Sequence, residues 1–126
     1  MKAEDLISQG IVKCAIEVHR TLGGPGLLES VYEEALIFEL RQNHSVKSQV
    51  ELPIIYKGNR MDQKFRLDIL VDDLVIIECK ATTQYNQIFE SQLLTYLRIS
   101  KLKLGLVINF GEKLVRRGIH RVVNGL

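Results

Sequence analysis

Phe65-Arg66-Leu67-Asp68-Ile69-Leu70-Val71-Asp72-Asp73-Leu74-Val75-Ile76-Ile77-Glu78-Cys79-Lys80-Ala81 decides the fold. Two apolar, β-branched runs flank Asp72-Asp73, and each reads as a largely buried strand, with the paired aspartates as the turn between them. Two carboxylates and a lysine interrupt the runs: Asp68 in the first, Glu78 and Lys80 in the second. An unpaired buried charge costs several kcal/mol or more, so these side chains belong in an ion pair, on a metal ion or at a wet cleft. Strand side chains alternate between faces, which sets Glu78 and Lys80 on one side and Ile77, Cys79 and Ala81 on the other. Asp68 precedes Glu78 by 10 positions. Antiparallel pairing of the two strands would therefore bring both carboxylates to one sheet face, within reach of a common ion.

Working outward, residues 3–22 form an amphipathic helix in which Ile7, Ile11, Cys14, Val18 and Leu22 make one stripe. Gly23-Gly24-Pro25-Gly26 ends it. A second helix is expected over 27–42, with Leu28, Val31, Ala35 and Phe38 on its buried side. Residues 46–56 read as a strand whose Pro53 suggests an edge position or a bulge. Lys57-Gly58-Asn59-Arg60 turns it into the strand that carries Asp68. A third helix over 86–100 follows the strand of Glu78, then a buried strand over 103–109, then a short final strand over 115–123. The order is α-α-β-β-β-α-β-β, an α/β sandwich with a mixed central sheet.

The chain has 126 residues, the size of one domain (1–126) with a sizeable core. No Trp is present and only 6% of residues are aromatic, which argues against a base-stacking platform. A formal net charge of +2 is too balanced to announce a nucleic-acid partner by itself. Any such contact falls to a local patch. Lys113, Arg116, Arg117, His120 and Arg121 are the first candidates, although a strand there would more simply present a solvated face; Arg98, Lys101 and Lys103 come next. Cys14 and Cys79 have no metal-type spacing and read as reduced core thiols, hence a cytoplasmic location. Neither a signal segment nor a membrane-length apolar run is seen. Gly23, Gly24 and Gly26 follow no buried strand and precede no GK[ST], so they are a helix–helix turn and not a phosphate loop. The three histidines show no ligand spacing, and Glu33 and Glu34 are expected on the surface.

Asp68 and Glu78 are hard oxygen ligands suited to Mg²⁺, with Mn²⁺ as substitute. Such an ion polarises a phosphoryl oxygen and acidifies bound water, while Lys80 offers charge to a transition state. An Asp followed by Glu-x-Lys on the next strand resembles the PD-(D/E)XK nuclease superfamily. Gly26-Leu27-Leu28-Glu29-Ser30-Val31-Tyr32 resembles the signature of its GxxExxY family, and Gln92-Leu93-Leu94-Thr95-Tyr96 the QxxxY element of its RecB-like branch. The similarity continues through 104–110 to Gly118 and Val122-Val123-Asn124. Leu67 stands where the superfamily's name has proline, and Ser100-Lys101 where a Thr-Gly pair is frequent.

The resemblance implies a restriction-endonuclease-like core, αβββαβ, with its mixed sheet flanked by helices and an extra N-terminal helix. It implies Glu29, Asp68 and Glu78 as metal ligands, Lys80 as the catalytic lysine, and Gln92 with Tyr96 as a further catalytic pair. The expected activity is Mg²⁺-dependent hydrolysis of phosphodiester bonds in nucleic acid, DNA foremost. A homodimer stays open. So does a catalytically inactive module on the same fold that binds nucleic acid or a protein partner.

Overall fold

A computed structural model describes residues 1–126. Helices α1 (Ala3–Thr21) and α2 (Glu29–Leu40) precede strands β1 (Val46–Tyr56), β2 (Asn59–Val71) and β3 (Val75–Lys80). Helix α3 (Ile88–Ser100) leads into β4 (Leu104–Asn109), and a 3-10 turn (Val115–Gly118) into β5 (Ile119–Val123). The strands line up in the order β1-β2-β3-β4-β5. Every neighbouring pair is antiparallel except β3–β4, which the α3 crossover makes parallel. The sheet is therefore mixed, and the expected element order holds. The last segment differs: Val115–Gly118 coils tightly before the strand begins.

Alternation along the strands divides the core in two. Ile69, Val71, Val75, Ile77, Cys79, Leu104, Leu106 and Ile108 meet α1 and α2 in a 17-residue cluster. Ile76, Leu67 and Val107 meet Leu93 and Leu97 of α3 in a cluster of five. Strands β3 and β4 are covered on both faces, which is why they read as continuous apolar runs. Pro53 lies on β1, an edge strand, and the register shifts between Pro53 and Ile55.

Helix α2 turns a different face inward from the expected one. Tyr32, Leu36 and Leu40 are fully buried, whereas Leu28 is 74% and Phe38 67% exposed. Both sets recur at helical spacing, so periodicity cannot choose between them. Tyr32 makes the choice. Its ring stacks on Phe110 with centroids 4.8 Å apart. Its hydroxyl donates to Gly24 O at 2.7 Å and accepts from Leu27 N–H at 3.1 Å. These contacts fix the rotation of α2 and bridge the turn in which Gly23, Gly24 and Gly26 all take positive φ.

Asn109 closes the far end of β3 and β4. Its Oδ1 accepts from Thr82 N–H and Gly111 N–H, both at 3.0 Å, and its Nδ2 donates to Thr82 O at 3.0 Å. A Cβ on Gly111 would come within 2.3 Å of Thr82 O, so glycine is required for this approach. The clasp holds the chain immediately after Lys80.

Tyr32→Phe leaves Leu27 N–H and Gly24 O without their bridge and is expected to cost about 1–2 kcal/mol, lowering Tm by several degrees. Phe38→Ser, on the exposed stripe, should stay within about 0.5 kcal/mol of wild type. Thermal melts of the two variants check both, and the reverse order would show that the other stripe of α2 faces the core.

Candidate metal and phosphodiester site

A regular ladder between β2 and β3 runs only through Val71↔Val75, Leu70↔Ile76 and Ile69↔Ile77. At the next step the two carboxylates replace it. Glu78 Oε2 accepts from Asp68 N–H at 2.8 Å, and Asp68 Oδ2 accepts from Cys79 N–H at 2.9 Å. Each strand's acid thus satisfies a backbone donor of the other, donors that parting strands would otherwise leave orphaned. The irregularity extends to β1, where pairing skips Gln49 opposite Asp68 and Gln49 takes a φ of 52°. Leu67 and Ile69, two residues apart, pack into different clusters, so alternation also breaks at Asp68. The expected meeting of Asp68 and Glu78 occurs, but in a gap between strands and not across a regular ladder.

One oxygen of each acid, Asp68 Oδ2 and Glu78 Oε2, is committed to backbone. Burial, then the Asp68 charge, pushes the Glu78 carboxyl up to about 8. Asp68 is also raised, chiefly by burial, with the Cys79 N–H and Lys80 pulling the other way. Two facing carboxyls that resist joint ionisation form a site poised to exchange protons for a cation.

Helix α2 brings two more acids to this gap. Burial raises Glu29, with Lys80 opposing and Asp68 adding to the shift. Glu33, expected on the surface, reaches the site: its ligand atom lies within 4.8 Å of those of Asp68 and Cys79. Gln49 Nε2 donates to Glu33 Oε2 at 2.9 Å, and burial followed by the Asp68 charge raises its carboxyl. Glu33 lies one helical turn from Glu29, and that i,i+4 spacing was the one sequence signal able to find it. A shallow cavity of about 480 Å³ opens here, lined by Glu29, Glu33, Gln49 and Asp68 among others.

The donor set suits a hard cation. Cys79 is geometrically near, but its thiol is fully buried among the α1/α2-side residues and burial pushes it well above its usual range. A neutral thiol is a poor metal ligand, which leaves carboxylate oxygens as the donors.

The remaining expected residues sit around the gap. The Lys80 ammonium lies over the Phe89 ring, 4.5 Å from its centroid, and forms no ion pair. Tyr96 packs against Phe65 with centroids 5.1 Å apart, and burial followed by the Glu78 and Asp68 charges raises its phenol. Gln92 is exposed on α3 one turn before Tyr96 and makes no hydrogen bond within the chain. Phe89 carried no recognised signal; an aromatic in the first turn of a helix is ordinary, and only the fold brings it beneath Lys80.

A family model described as the PD-(D/E)XK nuclease superfamily matches residues 5–122, all but the first four and last four positions. Neither a curated protein nor a solved structure gives a significant match.

The raised Glu78 carboxyl has a definite consequence for stability. Between the ordinary carboxylate range and about pH 8, native Glu78 keeps a proton that the unfolded chain has released. Stability in EDTA must therefore fall as pH rises through that window. Glu78→Gln retains an oxygen for Asp68 N–H and removes the titration. Its Tm should exceed wild type at pH 8 and decline less from pH 5 to pH 8, with Asp68, Glu29 and Glu33 accounting for the slope that remains. Parallel slopes in the two proteins would show that Glu78 ionises normally.

Proposed function

The chain belongs to the PD-(D/E)XK nuclease superfamily, and on that basis we propose that it hydrolyses phosphodiester bonds in nucleic acid, DNA foremost, with Mg²⁺ as its ion. Nucleases of this superfamily generally use divalent metals. The observation that carries the reading is the reciprocal clamp, which brings two carboxylates of adjacent strands together, each bonded to backbone through one oxygen, next to a lysine on one of those strands. Gly26, Glu29 and Tyr32 supply the motif that ties the chain to the GxxExxY branch, and Cys14 and Cys79, both free, suit a cytoplasmic protein.

Asp68 and Glu78 would hold the ion, with Glu29 joining directly or through water. Once bound, the ion would polarise the scissile phosphate and lower the pKa of a coordinated water. The chain's own residues do the rest. The Lys80 ammonium rests over Phe89, placed to orient the attacking water and to offset negative charge that grows on the phosphoryl oxygens. Tyr96 remains a neutral phenol beside two acids and serves as a hydrogen-bond donor. Gln92, free of partners, reaches outward to the substrate. Gln49 and Glu33 hold the approach to Asp68 from the opposite side.

Ligands and catalytic lysine separate experimentally. Mn²⁺ or Mg²⁺ should raise Tm by binding the native state, and Asp68→Asn should abolish most of that rise. Lys80→Met keeps the aliphatic stem and removes the charge. It should retain Mn²⁺ binding by calorimetry while cleavage of single- and double-stranded DNA and RNA falls by about 100-fold or more. Wild-type cleavage in Lys80→Met would remove Lys80 from the mechanism. A wild-type protein that binds Mn²⁺ yet cuts none of these substrates would favour the inactive binding module.

A further inference from the structure

Two cavities adjoin along one side of α1, sharing Ile16 and Arg116 as a common wall. Their volumes are about 580 and 510 Å³. Together they form a trough that follows α1 from Asp5 to Arg20 and ends at Gly23 and Gly24. The 1.5 Å rise of a helix makes the α1 part about 22 Å long. The opposite wall is the segment before β5, with Lys113 just ahead of the 3-10 coil and Arg116 within it.

The charge in this trough is one-sided. Lys13, Arg20, Lys113, Arg116 and Arg121 line it, and Asp5 is the one acid among its lining residues. Asp5 is already engaged by Arg121 at 2.6 Å, and Arg20 is paired with Glu17. Lys13, Lys113 and Arg116 have no acidic partner, so three cations remain uncompensated. The other three cavities all carry carboxylates: Glu34 and Glu39, Glu33 and Glu34, and the acidic gap itself.

Position relates the trough to the site. Four residues separate Gly24, at its end, from Glu29, at the mouth of the acidic gap, so the five steps between them span at most about 18 Å. That is at most about five phosphates along one strand of duplex. Tyr32 couples the two regions by bonding Gly24 O and stacking on Phe110, whose carbonyl lies 3.2 Å from His19 Nε2 inside the trough.

We propose that this trough is a phosphate track that holds the nucleic-acid backbone flanking the cut. The proposal rests on the nuclease reading and deepens it by assigning where the substrate lies. Its cations meet phosphates only, and the one ring that lines it, the His19 imidazole, is buried and engaged with Phe110 O, so the contact is independent of base sequence.

The test uses the full chain carrying Lys80→Met, with fluorescein-labelled 20-nucleotide single- and double-stranded DNA followed by anisotropy across a NaCl series. Lys113→Ala/Arg116→Ala should weaken binding about tenfold or more at 100 mM salt and flatten the log K against log[salt] slope by about 1.4–1.8. Lys57→Ala/Arg60→Ala, which removes equal charge at the β1–β2 turn, should stay within about twofold of the parent. Unchanged Tm in both variants confirms folding. Equal loss in the two variants, no loss in the first, or no DNA binding by the parent each overturns the track. If the first variant instead loses phosphatidylserine vesicles while keeping DNA, the trough faces a membrane and the proposal fails. The nuclease reading stands or falls apart from this, on Mn²⁺ binding and on cleavage of a small diester, bis-p-nitrophenyl phosphate. A protein that cleaves that diester yet binds DNA equally with and without Lys113 and Arg116 would retain the enzyme and lose the track.

Discussion

Where β2 and β3 part, two backbone N–H groups lose their ladder partners, and the carboxylates of Asp68 and Glu78 take those places. A buried donor without an acceptor costs about 1–3 kcal/mol, so the strands can separate only because each carries an acid at the right position. The same acids are costly to ionise there, since burial and mutual repulsion work against their charge. A divalent cation would resolve that conflict by supplying the missing positive charge. The site is thus a structural compromise in which backbone satisfaction fixes the two carboxylates and leaves their electrostatic demand unmet.

Much of the surrounding architecture keeps this gap in place. Helix α2 is pinned by the Tyr32 hydroxyl and by the Tyr32–Phe110 stack, and it delivers Glu29 and Glu33. Asn109 clasps Thr82 and Gly111, which fixes the chain just beyond Lys80, while Phe110 N–H donates to Lys80 O at 2.8 Å. The two aromatic contacts differ in purpose: Tyr32 orders a helix, whereas Phe89 gives the Lys80 ammonium a neutral surface to rest on. The parallel β3–β4 pair joined by α3 is what places Phe89 and Tyr96 on the lysine side of the sheet.

The element order and the charged trio were legible because a charge inside an apolar strand is rare enough to be informative, and Asp68, Glu78 and Lys80 all met that condition. The inward face of α2 was not, since Leu28, Val31, Ala35 and Phe38 have the same helical spacing as Tyr32, Leu36 and Leu40; only the Tyr32 hydroxyl and the partner ring at Phe110 separate them. Glu33 was hidden for a related reason: an acid on a helix is ordinary until a strand carrying Asp68 is laid beside it. Alternation rightly joined Glu78 to Lys80, yet it could not foresee that the ladder ends at Ile69↔Ile77, because strand periodicity carries no information about where pairing stops. The final strand expected over 115–123 begins only at Ile119, because residues 115–118 coil, and Lys113 and Arg116 join the wall that faces α1.

The central claim is that a divalent cation binds in the gap between β2 and β3, on the carboxylate oxygens the backbone leaves free. A crystal grown with Mn²⁺ and measured at the manganese absorption edge tests it directly. The account predicts an anomalous peak in contact with Asp68 Oδ1 and Glu78 Oε1, with Glu29 beside it and Cys79 outside the ligand sphere. A peak held by other residues, or a fully ordered site with no peak at saturating Mn²⁺, would contradict it.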